Sequence, residues 1–130
     1  MQIDFLTLNN VMDLHQRQIN IHGGCDGIRD EGLLLSALAM PHAAFFGDYA
    51  HNDFYEMAAA YFFHIVMNHP FVDGNKRTGA AAAIIFLGMN DIELTADNPT
   101  LFEFTLCLAQ GQKTKHHVTE FLKEHSRPQS

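Results

Sequence analysis

Residues 54 to 90 read "FYEMAAAYFFHIVMNHPFVDGNKRTGAAAAIIFLGMN", and the fold turns on how they divide. The segment before His69 is apolar on nearly every face of a helix, so it has no side to offer water and belongs at the centre of a core. Asn52 or Asp53 is placed to cap its start. Pro70 forbids its continuation, because proline lacks an amide hydrogen and its ring clashes with the preceding turn. A second helix is expected to begin at about Asn75 to Arg77. It is again apolar on most faces, and its row of small residues from Gly79 to Ala83 lets a neighbouring helix approach closely. Two buried helices thus flank the polar run "HPFVDGNKR", residues 69 to 77.

Outward from this pair, helices account for most of the chain. Residues 8 to 21, "LNNVMDLHQRQINI", place Leu8, Val11, Met12, Leu14, His15 and Ile19 mostly at three- and four-residue spacing. Thr7 is the expected N-cap and Gly23-Gly24 the stop. "QIDF" before it reads as a short extended piece, and "GGCDGIRD" after it as a glycine-punctuated loop. Asp30 then caps "EGLLLSALAM", which Pro41 closes. The segment "PHAAFFGDYAHND" reads as a loop or short hairpin with unusual aromatic surface in Phe45, Phe46 and Tyr49. Downstream, "DNPTLFEFTLCLAQG" forms a helix with Asn98 as N-cap, Pro99 at the first position and Gly111 as stop. A last helix runs from about Thr114 to His125, and the tail "SRPQS" is expected to fray. No repeat, linker or alternating pattern long enough for a sheet is found, so the architecture is an all-α bundle forming a single domain over 1–130.

Composition narrows the function. The chain has 130 residues, enough to bury a core without a metal or disulfide staple. No apolar run reaches bilayer-spanning length and no secretion signal precedes the first helix, which makes the cytoplasm the expected address and excludes a membrane partner. Cys25 and Cys107 lie far apart and are expected as two buried thiols rather than a disulfide or zinc site. A net charge of -7 argues against a nucleic-acid surface, so any anion site must be local.

The run 69 to 77 is where such a site can form. A helix N-terminus presents unpaired N–H groups and the positive end of the helix dipole, and both favour an anion. Gly74 lets the backbone come close to a ligand, while Lys76 and Arg77 add charge and donors. These cations disfavour a helix N-terminus unless an anion joins them. Phosphate is the expected guest, Asn75 is placed to orient it, and Asp73 is suited to Mg²⁺ held together with substrate phosphates. His69 opens the loop after a buried helix, and its imidazole is the natural base for an attacking hydroxyl. The bland alternatives are a capping histidine, an ordinary Asp-Gly turn and solvated cations. The GxxxxGK[ST] pattern of P-loop enzymes is absent.

The same nine residues match the HxFx(D/E)GN(G/K)R motif of the Fic/Doc superfamily. With "IRDEGLLLSALAMP" and "AAAYFFHIVMNHP", the chain resembles the Doc (death on curing) branch over nearly its whole length. The resemblance implies a compact Fic-domain helical bundle with the active-site loop between two central helices. It also implies a transferase using ATP and Mg²⁺. Fic proteins transfer AMP to a target hydroxyl, whereas the Doc toxin transfers the γ-phosphate to a threonine of elongation factor Tu. By that resemblance His69 is the general base, Asp73 the magnesium ligand and Phe71 an apolar anchor of the loop. Gly74, Asn75, Lys76 and Arg77 form the phosphate cradle, and Phe45, Phe46 and Tyr49 fall where the family has its target-docking flap.

Departures from the family pattern select between these chemistries. Adenylylating members continue as GNGRxxR, but here Lys76 replaces the glycine and Ala80 stands where the second arginine would be. Gly74 agrees with the Fic consensus, where the Doc toxin has alanine. The balance favours phosphate transfer, with AMP transfer as the alternative and a degenerate nucleotide- or target-binding module as a third reading. The inhibitory (S/T)xxxE(G/N) segment of many Fic proteins does not occur, so inhibition is expected from a Phd-like antitoxin whose C-terminal segment folds onto the toxin. A purely regulatory or metal-binding protein is the rival class. It would draw on His64, His116, His117 and His125, whose spacing does not suit zinc and which read better as surface residues.

Overall fold

The computed structural model describes residues 3–45, 48–49 and 53–129, with backbone alone at 44–45 and 48–49. Among them the order is α1 (Leu8–His22), α2 (Glu31–Ala39), a 3₁₀ turn (Met40–His42), β1 (Ala44–Phe45), β2 (Asp48–Tyr49), α3 (Phe54–Asn68) and α4 (Asn75–Met89). There follow β3 (Ile92–Leu94), α5 (Asn98–Ala109), α6 (Lys115–Glu124) and β4 (Ser126–Pro128). The architecture is mostly helical, as the apolar periodicity requires. No helix among the described residues is long and apolar enough to cross a membrane.

Helix starts follow local side-chain chemistry. The Thr7 hydroxyl accepts from Asn10 N–H at 3.1 Å while the Asn10 side chain accepts from Thr7 N–H at 2.9 Å, closing a capping box on α1. Asp30 caps α2 through Leu33 N–H, Asp53 caps α3 through Glu56 N–H, and Thr114 caps α6 through His117 N–H. For α5 the cap is Asp97 rather than Asn98. Its carboxylate accepts from Thr100 N–H at 2.8 Å and brings a negative charge to the positive helix end, so Asn98 becomes the first helical residue. Pro41 does not simply close α2; the chain tightens into the 3₁₀ turn around it.

Helix α3 is the axis of the core. Its residues from Met57 to Phe62, with Ile65 and Val66, are buried, and α4 packs along it. The approach is closest at Gly79, where a Cβ would stand 2.7 Å from Val66 Cγ2 and 3.1 Å from the Phe62 carbonyl oxygen. The small-residue row therefore has a specific meaning at this one position: only a glycine fits between the two backbones. Tyr61 ties the N-terminal segment to the same core, its hydroxyl accepting from Leu6 N–H at 2.9 Å. Burial pushes the Tyr61 phenol up to about 12, with the Leu6 hydrogen bond opposing. Of the "QIDF" segment, the described residues 3–5 form no ladder; Asn90 holds them by donating to the Asp4 carbonyl at 3.1 Å.

Three expectations are corrected. The described part of the tail does not fray: Ser126–Pro128 pairs antiparallel with Ile92–Leu94, because the main-chain groups of two remote segments satisfy each other. This pairing is a small sheet not expected from the sequence, whereas the hairpin pairing Ala44 with Tyr49 and Phe45 with Asp48 is one of the two forms expected of its segment; these are the two sheets among the described residues, with strands too short to leave an alternating pattern. The thiols are not both buried; Cys25 is exposed and Cys107 half-buried, and both are free. Among the histidines of the last helix, His116 and His117 are exposed and His125 half-buried.

Candidate active site

The loop 69–74 joins the C-terminus of α3 to the N-terminus of α4, and its backbone is shaped at both ends. His69 is left-handed at φ 50°, ψ 53°, a conformation costing a non-glycine residue roughly 1–2 kcal/mol unless its surroundings impose it. Gly74 is left-handed at φ 78°, where a glycine carries no such penalty. Phe71, between them, is 1% exposed and plugs the loop into the core.

Asn75 staples the loop from inside. It is 6% exposed, its Oδ1 accepts from Phe71 N–H at 2.9 Å, and its Nδ2 donates to the Phe71 carbonyl at 3.0 Å. The same Nδ2 meets His69 Nδ1 at 3.2 Å. The Phe71 amide fixes which way the Asn75 amide faces. Its NH₂ can donate only to an unprotonated Nδ1, so a neutral His69 in this arrangement carries its proton on Nε2 and its lone pair on Nδ1. The Asn75 side chain is thus committed to the loop and to His69. It is the unpaired backbone N–H groups of the first turn of α4 that remain for an anion.

Asp73 is exposed, and its carboxyl is held below the usual carboxylate range. The main causes are hydrogen bonds from Gly74 N–H at 2.9 Å and Cys25 N–H at 3.3 Å, with smaller help from the Lys76 and Arg77 charges. Its carbonyl accepts from His15 Nε2 at 2.8 Å. His15 is buried on α1 with its ring stacked on Phe71, and its Nδ1 lies 3.7 Å from Asp26 Oδ1.

A cleft of about 650 Å³ opens beside the loop. One end is lined by Asp73, Gly74, Lys76 and Arg77, the other by Ile84, Leu101, Phe102 and Leu106 from α4 and α5. Gln18 and His22 of α1 also line the cleft. The cleft therefore has a cationic mouth at a helix N-terminus and an apolar floor, suited to a ligand that is anionic at one end and flat or apolar at the other. His69 is exposed at the end of α3 and does not line the cleft; Asn75 links the two. Ala80, where a second arginine would stand, lies on the wall of the cleft and is mostly buried. No group of three or more His, Cys, Asp or Glu side chains suited to a metal occurs among the described residues. Asp73 alone fits Mg²⁺ only as an ion that arrives with phosphate ligands of its own.

Phe45 and Tyr49 lie on paired strands of the hairpin, while Phe46 falls outside the described residues. Two contributors escaped the sequence reading. His15 carried a signal, being a polar residue on the apolar stripe of α1. Arg29, which donates to the Asn68 and His69 carbonyls, carried none beyond its place in a glycine-rich loop.

The fold and the loop define a helical domain with a histidine- and cation-bearing turn between its two central helices. Residues 5–87 match the Fic/DOC family, and the chain belongs to it. It is 45% identical over 75 residues to the toxin Doc of Mycolicibacterium smegmatis (strain ATCC 700084 / mc(2)155), a match covering 58% of each chain. It is also 29% identical over 110 residues to the protein kinase doc of Escherichia phage P1, covering 85% of this chain and 86% of that one.

Proposed function

We propose that the chain is a Doc-like toxin that transfers the γ-phosphate of ATP to a hydroxyl of a target protein, elongation factor Tu or one like it. The observation that carries this reading is the gathering of Lys76, Arg77 and the free N–H groups of α4 at one end of the cleft, beside the ionised Asp73. The names of the two relatives, a toxin and a protein kinase, support it. Ala80 in place of a second arginine favours phosphate over AMP transfer, which is the competing chemistry.

In this reading the triphosphate lies on the first turn of α4, with Lys76 and Arg77 neutralising the charge that develops on the transferred group. Mg²⁺, held by Asp73 and the nucleotide, would supply further charge neutralisation. The target oxygen forms a bond to the γ-phosphorus as the bond from that phosphorus to the β–γ bridging oxygen breaks, and ADP departs. The hydroxyl proton passes to the His69 imidazole. The basic atom in the arrangement described is Nδ1, so the hydroxyl displaces the Asn75 amide from it. The toxin would act in the cytoplasm under a Phd-like antitoxin. An antitoxin segment bearing acidic and apolar side chains would match the cationic mouth and the exposed Phe102 and Leu106 of the cleft.

The test is incubation of the protein and its His69→Ala variant with bacterial lysate, Mg²⁺ and ATP labelled at either the α- or the γ-phosphate. Label from the γ-position, lost in the variant, is expected. Label from the α-position would mean AMP transfer, and no His69-dependent label in either arm would mean a binding module without turnover.

A further inference from the structure

We propose that Arg29 is a positioning residue for His69: its guanidinium clamps the last carbonyls of α3 and thereby holds His69 in the left-handed conformation that sets its imidazole against Asn75. That the imidazole acts in transfer rests on the proposed function; that Arg29 sets its place does not. Arg29 Nε donates to the His69 carbonyl at 2.6 Å and Nη2 to the Asn68 carbonyl at 2.9 Å. Both carbonyls belong to the end of a helix, where the last turn has no intrahelical donors and a cation is favoured by the dipole.

The clamp has a fixed base. Arg29 N–H and Asp30 N–H both donate to the Pro70 carbonyl, at 2.7 and 3.0 Å, and Val72 N–H donates to the Gly27 carbonyl at 3.0 Å. Ile28 forms a β-bridge with Phe71, and Asp30 is itself the N-cap of α2. The backbone of Arg29 is therefore fastened to the loop just after His69, and its side chain reaches back to the residue itself. With φ at 50°, His69 would relax toward ordinary backbone angles if its carbonyl were released, and the ring would swing away from Asn75. A planar guanidinium can hold two carbonyls at once in fixed geometry, which a lysine ammonium cannot reproduce.

The test uses the full chain with Arg29→Met and Arg29→Lys, and Arg127→Met as a control for loss of an exposed arginine elsewhere. NMR follows the φ-dependent backbone couplings and imidazole shifts of His69, and thermal melting follows stability. Transfer from α- and γ-labelled ATP to purified elongation factor Tu gives kcat and KM for ATP. Arg29→Met is expected to shift the His69 couplings and imidazole resonances and to lower kcat about 100-fold, the order of loss expected from a misplaced catalytic group. KM for ATP should change less than twofold, because the phosphate cradle is untouched. Added ethylguanidinium should restore part of kcat, Arg29→Lys should fall between, and Arg127→Met should match the wild type. An Arg29→Met protein with unchanged His69 resonances overturns the proposal, as does one whose loss lies only in melting temperature or in KM. If the wild type transfers no label, the proposed function fails, and the His69 resonances alone decide the role of Arg29.

Discussion

The His15 ring lies flat on Phe71, with centroids 3.8 Å apart and planes 6° from parallel, and its Nε2 donates to the carbonyl of Asp73. One buried side chain of α1 thus touches the loop at both its apolar plug and its carboxylate residue. His15→Phe keeps the stack and removes the donor, leaving the Asp73 carbonyl without its partner. A loss of about 1–2 kcal/mol in stability is expected by denaturant titration, with a raised Mg²⁺ requirement for transfer. An unchanged Mg²⁺ requirement would show that the backbone at Asp73 does not need the imidazole.

Asp73 should remain ionised below the ordinary carboxylate range, because the Gly74 and Cys25 amides favour its charged form. A lowered folded-state pKa contributes stability above the unfolded value of about 3.9, and that contribution disappears as pH falls through the folded value. Carbon-13 NMR of the carboxyl should find its midpoint below that of an unstructured aspartate. In Asp73→Asn the amide nitrogen would oppose the Cys25 N–H and the charge is gone. Mg²⁺-dependent transfer should fall at least about 100-fold while the fold persists.

Gly79→Ala tests the closest approach in the core. The added methyl would meet Val66 and the Phe62 carbonyl, and neither can withdraw, since Val66 is fully buried and the carbonyl belongs to the backbone of α3. A loss of about 1–3 kcal/mol is expected from chemical denaturation, with the helix pair forced apart. Equal stability of the variant would mean that the helices are not packed this tightly in solution.

Tyr61 governs the alkaline limit. With its phenol raised to about 12 in the folded chain and near 10 when unfolded, the folded state holds the proton more strongly. Stability is therefore unaffected below about pH 10 and falls as pH rises from there toward about 12, by at most about 1.4 kcal/mol per unit. Tyr61→Phe should abolish that part of the slope. At neutral pH it should cost about 1–3 kcal/mol, because Leu6 N–H is left buried without its acceptor.

The helices and most of their caps were legible because the information is local. Thr7, Asp30 and Asp53, the last one of two candidates with Asn52, cap residues three positions away, whereas Thr114, expected as the first residue of the last helix, is its cap; the apolar character of α3 and α4 is written into consecutive residues. The loop 69–77 was legible for the same reason: its histidine, carboxylate, glycine, amide and cations are contiguous. At α5 two adjacent cap-forming residues, Asp97 and Asn98, compete, and only the geometry shows the charged one reaching Thr100.

By itself the sequence determined a helical chain with a histidine- and cation-bearing turn between two buried helices, because capping, periodicity and motif all act within a few residues. The tertiary structure alone decided what holds that turn in shape. His15 reaches Asp73 across 58 positions, Arg29 reaches His69 across 40, and the strand Ser126–Pro128 finds Ile92–Leu94. Such contacts depend on where packing brings remote segments together, and each partner is chemically ordinary until the other stands beside it.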